Sequence, residues 1–250
     1  MPRETATAAM LAIGDELLSG RTKDKNIGHL AEVMTLAGID LKEVRIVGDD
    51  PHMIADTLNT LRRTYDLVFT SGGIGPTHDD ITAEAVAAAF GLPVVDHPEA
   101  VARLEAHYRQ RGMEFTTARR RMARTPEGAG LIDNPVSVAP GFRIDNVFVM
   151  AGVPAVFQAM LAGLSAALPA GDPLVSRAIA CRFGEGDIGD ALAAIAREHP
   201  KVVIGSYPKF DGSRYSTEIV IRSRDEAAID AAAAAVEAML QAVDQRRASA

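Results

Sequence analysis

Two rhythms of apolar positions alternate along the first two thirds of the chain. Short segments rich in apolar residues at 8–13, 41–47 and 67–70 read as strands, the first of them buried. Between them, apolar residues fall three and four apart. Ile27, Leu30, Ala31, Met34 and Ala37 predict a helix over 25–36 that Gly38 closes, and a second helix runs over 52–63. A third helix begins near Asp80 and stops at Gly91. The charged stretch 99–124 reads as helical, and residues 141–144 with 147–150 as a hairpin before a helix over 154–168. Strand and helix in this order predict a mostly parallel sheet with right-handed crossovers.

The pattern breaks at Pro169-Ala170-Gly171-Asp172-Pro173, which places a linker at 169–173 between a domain at 1–168 and a smaller one at 174–244. In the smaller one a strand (175–183), a helix (188–199), a hairpin (202–207 and 215–221, turning at Asp211-Gly212) and an alanine-rich helix (225–243) predict an α+β sandwich. The polar end, 245–250, reads as a frayed tail.

Composition narrows the function classes. Twenty-six Lys and Arg against 33 Asp and Glu leave a net charge of −7, which argues against a general nucleic-acid binder. Cys181 is the single cysteine, so neither an intrachain disulfide nor a thiolate zinc cluster can form. No apolar run reaches membrane-spanning length and no signal peptide is evident, so a cytoplasmic location without membrane contact is the expectation.

Three acidic or glycine-rich clusters each follow a strand: Gly14-Asp15-Glu16, Gly48-Asp49-Asp50, and Ser71 through Asp80. In an open parallel sheet the carboxyl ends of neighbouring strands face one crevice, so these clusters should converge. Gly72, Gly73 and Gly75 can bring bare amides to a phosphate, and Ser71 and Thr77 can add hydrogen bonds. Asp79 and Asp80 would repel a bare phosphate, which points to a hard cation between them; Asp15 and Asp79 are the strongest metal candidates. The alternative is structural: Asp79 or Asp80 caps the next helix, Asp15 and Glu16 sit in a solvated turn, and Asp50 before Pro51 starts a helix. The glycine cluster lacks the Gly-Lys-Ser/Thr of a common phosphate loop, and the first turn lacks a dinucleotide fingerprint. Ser71 has no nucleophile-elbow frame. The arginines from Arg119 to Arg124 read as a solvated helix face, with contact to a second phosphate as the less favoured reading.

Taken together, Ile13 through Gly20, Asp24-Lys25-Asn26, Asp49-Asp50 and Gly72 through Asp80 resemble the molybdopterin-binding (MoaB/Mog-like) domain, and more closely the N-terminal half of the competence-damage-inducible protein A family. Pro126 through Ala129, Ala139 through Phe142 and Gly152-Val153-Pro154 extend the likeness over nearly the whole first domain. The resemblance implies a three-layer α/β/α fold followed by a small KH-like α+β domain, and a homo-oligomer, dimer or trimer. These 250 residues hold no counterpart of the amidase domain that ends longer members. It further implies a small-molecule nucleotide or pterin-phosphate ligand, molybdopterin among them, and metal-dependent hydrolysis of ADP-ribose or FAD-like dinucleotides with Mg²⁺, Mn²⁺ or Co²⁺. On matching positions Asp15, Asp79 and Asp80 would hold the metal and serve catalysis. Ser71, Gly72, Gly73, Gly75 and Thr77 would hold phosphate, with Asn26, Pro140 and Gly141 lining the cleft. Met122 and Val138 stand where such relatives often carry Gln and Thr, which favours a second hypothesis, pterin binding without turnover. A molybdopterin adenylyltransferase is the third.

Overall fold

The computed structural model describes residues 5–169, 171–210, 212 and 215–248. Its chain divides into two compact units, Met1–Gly171 and Asp172–Ala250.

The first unit is built on a six-stranded sheet. Its strands are β1 (Thr7–Ile13), β2 (Asp40–Val47), β3 (Leu67–Ser71), β6 (Gly130–Ile132), β7 (Gly141–Ile144) and β8 (Val147–Met150), in the spatial order β2-β1-β3-β8-β7-β6. The four strands from β2 to β8 pair in parallel, and the hairpin β7–β8 adds an antiparallel edge continued by β6. β1 is buried along nearly its whole length because helices cover both faces. On one face α3 (Pro51–Thr64) and α4 (Thr82–Phe90) pack against Leu11, Val68 and Val149; on the other, α2 (Asn26–Ala37) and α7 (Pro154–Leu164) cover Met10, Phe69 and Phe148. The result is the expected three-layer α/β/α architecture.

Local sequence explains the helix ends. Gly38 adopts φ +72 and ends α2, as its position suggested. α3 starts at Pro51 with Asp50 as N-cap, whose Oδ1 accepts from the Met53 amide at 2.8 Å. It buries Ile54, Leu58 and Leu61, each side chain contributing roughly 2 kcal/mol. We expect Asp50→Ala to lower unfolding free energy by about 1 kcal/mol in a urea titration, since one helix-end amide loses its partner.

Several expectations needed correction. α4 begins at Thr82, with Ile81 as its N-cap, so neither Asp79 nor Asp80 caps it. The stretch 99–124 is not one helix. α5 (Pro98–Gln110) stops before Gly112, which adopts φ +65; Thr116 then caps the single turn α6 (Thr117–Arg120), and Arg121–Ala123 form a 3₁₀ turn. Arg124 already belongs to β5 (Arg124–Pro126), which pairs with β4 (Val94–Asp96). The two short strands escaped notice because three residues carry no readable alternation. A further turn of helix, α1 (Asp15–Leu18), follows β1.

The second unit carries β9 (Val175–Cys181), α8 (Glu185–Glu198), β10 (Val203–Phe210), β11 (Tyr215–Ser223) and α9 (Glu226–Ala248). Its antiparallel sheet has the order β10-β11-β9, and Ile219 and Ile221 of β11 pack with Ile188, Ile195, Val236 and Val243 of the helices. This is the small α+β unit expected. The residues read as a tail from Gln245 are helical through Ala248. Of the turn at Asp211-Gly212, Asp211 lies outside the described residues, as does Ala170 of the expected linker. Among the described residues no helix is long and apolar enough to cross a membrane.

Candidate functional site

The three clusters do meet. Ile13 stands opposite Val47 in the β1–β2 ladder, and Ser71 opposite Met150 in the β3–β8 ladder, so the turns after all four strands leave the sheet at one end. β1 sits between β2 and β3, which places the change in winding direction where ligands bind in such sheets. Two backbone-to-carboxylate bonds tie the first two turns together: the Asp15 amide donates to Asp49 Oδ2 at 3.0 Å, and the Asp49 amide to Asp15 Oδ1 at 3.3 Å. The Gly72 amide donates to the Met150 carbonyl at 3.1 Å, which closes the turn after β3 against the end of β8.

At this end lies a cleft of about 540 Å³. Gly72, Gly73, Gly75, Asp79 and Asp80, all expected there, line it. Among the described residues the amides of Gly73, Ile74 and Gly75 have no intramolecular partner, so three N–H donors remain free in one turn. The glycines are needed for this shape. At Gly72, φ is +111 and a Cβ would overlap the Ile13 carbonyl oxygen; at Gly73, φ is +69 and a Cβ would overlap Thr82 Oγ1. Thr82 in turn donates to the Gly72 carbonyl at 3.0 Å, holding the turn from below.

The carboxylates divide by how they are engaged. Asp80 Oδ2 accepts from the Thr77 amide at 2.8 Å and from the Thr77 hydroxyl at 2.5 Å, so this pair braces the loop from within. The Thr77 hydroxyl, with its one proton, also stands beside Asp79. That neighbour and its own amide hold the Asp79 carboxyl below the usual carboxylate range. Because the shift is downward, any stability Asp79 contributes is present above the unfolded carboxylate pKa and fades only as pH falls through the folded one. Asp79 is therefore ionised throughout the neutral range. Arg121 Nη2 donates to the Asp80 carbonyl at 3.0 Å and anchors the loop's last residue.

Other expected residues lie elsewhere. Asp15 is not on the cleft wall; its carboxylate lies over Gly48. Thr77 faces Asp80. Pro140 lines a narrow crevice behind the turn together with Arg121, and Gly141 is buried in β7 against the Val149 carbonyl. Ser71 and Asn26 line a smaller adjoining cavity of about 50 Å³ that shares Ile13, Glu16, Thr22, Gly152 and Pro154 with the main cleft.

Among the polar side chains that line the cleft, Glu16, Thr22, Asp49, Asn134 and Ser137 are absent from the expected set. Glu16 was visible in the Gly14-Asp15-Glu16 cluster; Asn134 and Ser137 lie in a loop with no local signature. Ile74, Met122, Val153 and Val156 form an apolar wall beside the polar end. The charged residues of the cleft, Glu16, Asp49, Asp79 and Asp80, are all acidic. Among the described residues, no three histidine, cysteine or carboxylate groups stand close enough to enclose a metal ion by themselves.

Comparison with known proteins gives the family. Residues 9–170 match the model described as a probable molybdopterin binding domain, and residues 173–246 that of the FAD synthase middle domain. The chain belongs to the molybdopterin-binding domain family. A protein of Archaeoglobus fulgidus is 32% identical over 200 residues, covering 80% of this chain and 85% of that protein. A CinA-like protein of Geobacter sulfurreducens is 34% identical over 230 residues, 88% of this chain but 56% of that protein, so the chain spans little more than half of it. Among solved structures, the CinA protein of unknown function from Thermoplasma acidophilum superposes with a TM-score of 0.61 at 30% identity, over 65% of this chain and 98% of that one. The CinA family, with its N-terminal MoaB/Mog-like domain, is thus the one the motifs indicated.

Proposed function

We propose that this CinA-family chain binds a phosphoanhydride-containing nucleotide of the ADP-ribose or FAD type in the cleft and hydrolyses it with a divalent cation. One observation carries the reading: three free amides in a glycine turn, suited to phosphoryl oxygens, share a cleft with four carboxylates and no basic residue among those described. A phosphate entering that field needs a cation between it and the acidic wall. Mg²⁺ is usually held by one or two carboxylates with waters and substrate phosphates, so a preformed cage is not required. Asp79, ionised and lining the cleft, is the first candidate ligand; Asp80 braces the same loop through Thr77, and Asp15, off the cleft wall, holds the neighbouring turn through Asp49. When bound, such an ion neutralises phosphate oxygens and polarises the phosphorus. The chain's own part is to cradle the non-bridging oxygens on the Gly73–Gly75 amides. Ile74, Met122 and Val153 provide apolar surface for a flat ring and exclude water there.

Incubation with ADP-ribose or FAD plus Mg²⁺, Mn²⁺ or Co²⁺ should release AMP. Well-folded protein that yields no AMP with any of these ions rejects the hydrolase. The family model's description and the thioether of Met122 on the cleft wall favour a second reading, pterin-phosphate binding without turnover. Calorimetric binding of a phosphorylated pterin, with no AMP from any dinucleotide, would select it.

A further inference from the structure

Two serine hydroxyls at this site are each held by a buried asparagine in the same way. Asn26, 3% exposed, donates from Nδ2 to Ser71 Oγ at 2.7 Å and to the Gly152 carbonyl at 2.8 Å. Asn134, 7% exposed, donates from Nδ2 to Ser137 Oγ at 2.6 Å and to the Ala139 carbonyl at 2.8 Å. A carbonyl oxygen can only accept, so in both amides the atom facing it must be nitrogen, and the orientation of each asparagine is settled. Both hydrogens of each NH₂ group are then committed. Each serine oxygen accepts one of them, and each hydroxyl proton is left to point away from its asparagine.

The remaining bonds lock this arrangement. Asn134 Oδ1 accepts from the amides of Val136 at 3.0 Å and Ser137 at 3.1 Å, and the Asn134 carbonyl accepts from Val138 at 3.1 Å. Val138 is thereby kept at φ +69, a conformation costly for a β-branched residue that persists only when its surroundings over-determine it. Among the described residues neither serine hydroxyl donates a hydrogen bond to another group. Ser137 lines the main cleft and Ser71 the smaller cavity that shares five lining residues with it.

We infer that Ser71 and Ser137 are one-way hydrogen-bond donors for two phosphoryl groups of a diphosphate, set in that role by Asn26 and Asn134. The inference rests on the nucleotide-binding reading above and assigns the second phosphate a place beside the glycine turn. Asn26 and Asn134 are positioning residues. Asn26 Oδ1 is buried without a hydrogen-bond partner among the described residues.

The test is calorimetric titration of the whole chain with ADP-ribose, with inorganic pyrophosphate and with AMP, each with Mn²⁺. Ser137→Ala and Ser71→Ala should each weaken ADP-ribose and pyrophosphate by roughly tenfold to a hundredfold, the range for hydrogen bonds to charged groups, and AMP by at most one of them. Ser137→Thr keeps the hydroxyl and should restore most of the affinity. Asn134→Asp should reproduce the Ser137→Ala loss although Ser137 is intact, because a carboxylate draws the serine proton to itself. Wild-type-like affinity in both alanine variants overturns the inference. Wild-type protein that ignores ADP-ribose but binds pyrophosphate, with the same losses in the variants, rejects the nucleotide reading and keeps the serine pair. Binding of neither ligand rejects both.

Discussion

Gly72→Ala should lower the unfolding free energy by roughly 3 kcal/mol or more, as read from urea or thermal unfolding. Two effects add at this position. The backbone sits at φ +111, outside the range an alanine adopts without strain, and the new Cβ would overlap the Ile13 carbonyl oxygen at the end of β1. That oxygen belongs to the backbone of a buried central strand, so it cannot step aside as a flexible side chain would. The Gly152 backbone also approaches closely, since a Cβ built there would lie 3.2 Å from the Gly72 Cα. Gly91→Ala is the control: φ is +66 there too, yet open space surrounds the position, so only the backbone term applies. About 1 kcal/mol is expected for it. A Gly72→Ala loss no larger than the Gly91→Ala loss would show that the turn is not held against β1 and β8 as described.

Asp79→Asn should weaken Mn²⁺-dependent binding of ADP-ribose by about a hundredfold while leaving the thermal midpoint nearly unchanged. The side chain is exposed and α4 begins only at Thr82, so no helix end depends on it. Asp80→Asn provides the contrast. Its carboxylate accepts both bonds from Thr77, so that substitution should disturb loop stability as well as binding. The comparison separates a carboxylate that meets the cation from one that shapes the loop. A fall of many degrees in the Asp79→Asn midpoint, with binding retained, would return Asp79 to a structural role.

Much of the architecture was legible because it rests on long, periodic signals. β1 and β3 are short apolar runs, β2 carries Leu41, Val44, Ile46 and Val47 among charged residues, and α2 and α3 show clear helical spacing with a glycine stop or a proline start. Short elements were not legible. β4 and β5 have three residues each, and the break between α5 and α6 depends on Gly112 taking a positive φ within a charged stretch that otherwise suits a helix. The site divides along the same line. The glycine turn and its acidic neighbours announce themselves by composition and by following strands. The turning of Asp15 onto Gly48, and the entry of Glu16 into the cleft, depend on the short helix α1, whose four residues carry no signal of their own. Asn134 and Ser137 come from a loop whose conformation is set by one asparagine making four side-chain hydrogen bonds, a pattern that appears only in three dimensions.

The most direct measurement is a crystal structure of the chain soaked with ADP-ribose and Mn²⁺. A phosphoryl group on the Gly73, Ile74 and Gly75 amides, at about 3 Å from nitrogen to oxygen, with the metal between it and Asp79, is the predicted result. Nucleotide density away from that turn, for example in the separate cavity of about 490 Å³ around Arg182, Lys209 and Asp244 in the second unit, would contradict the account.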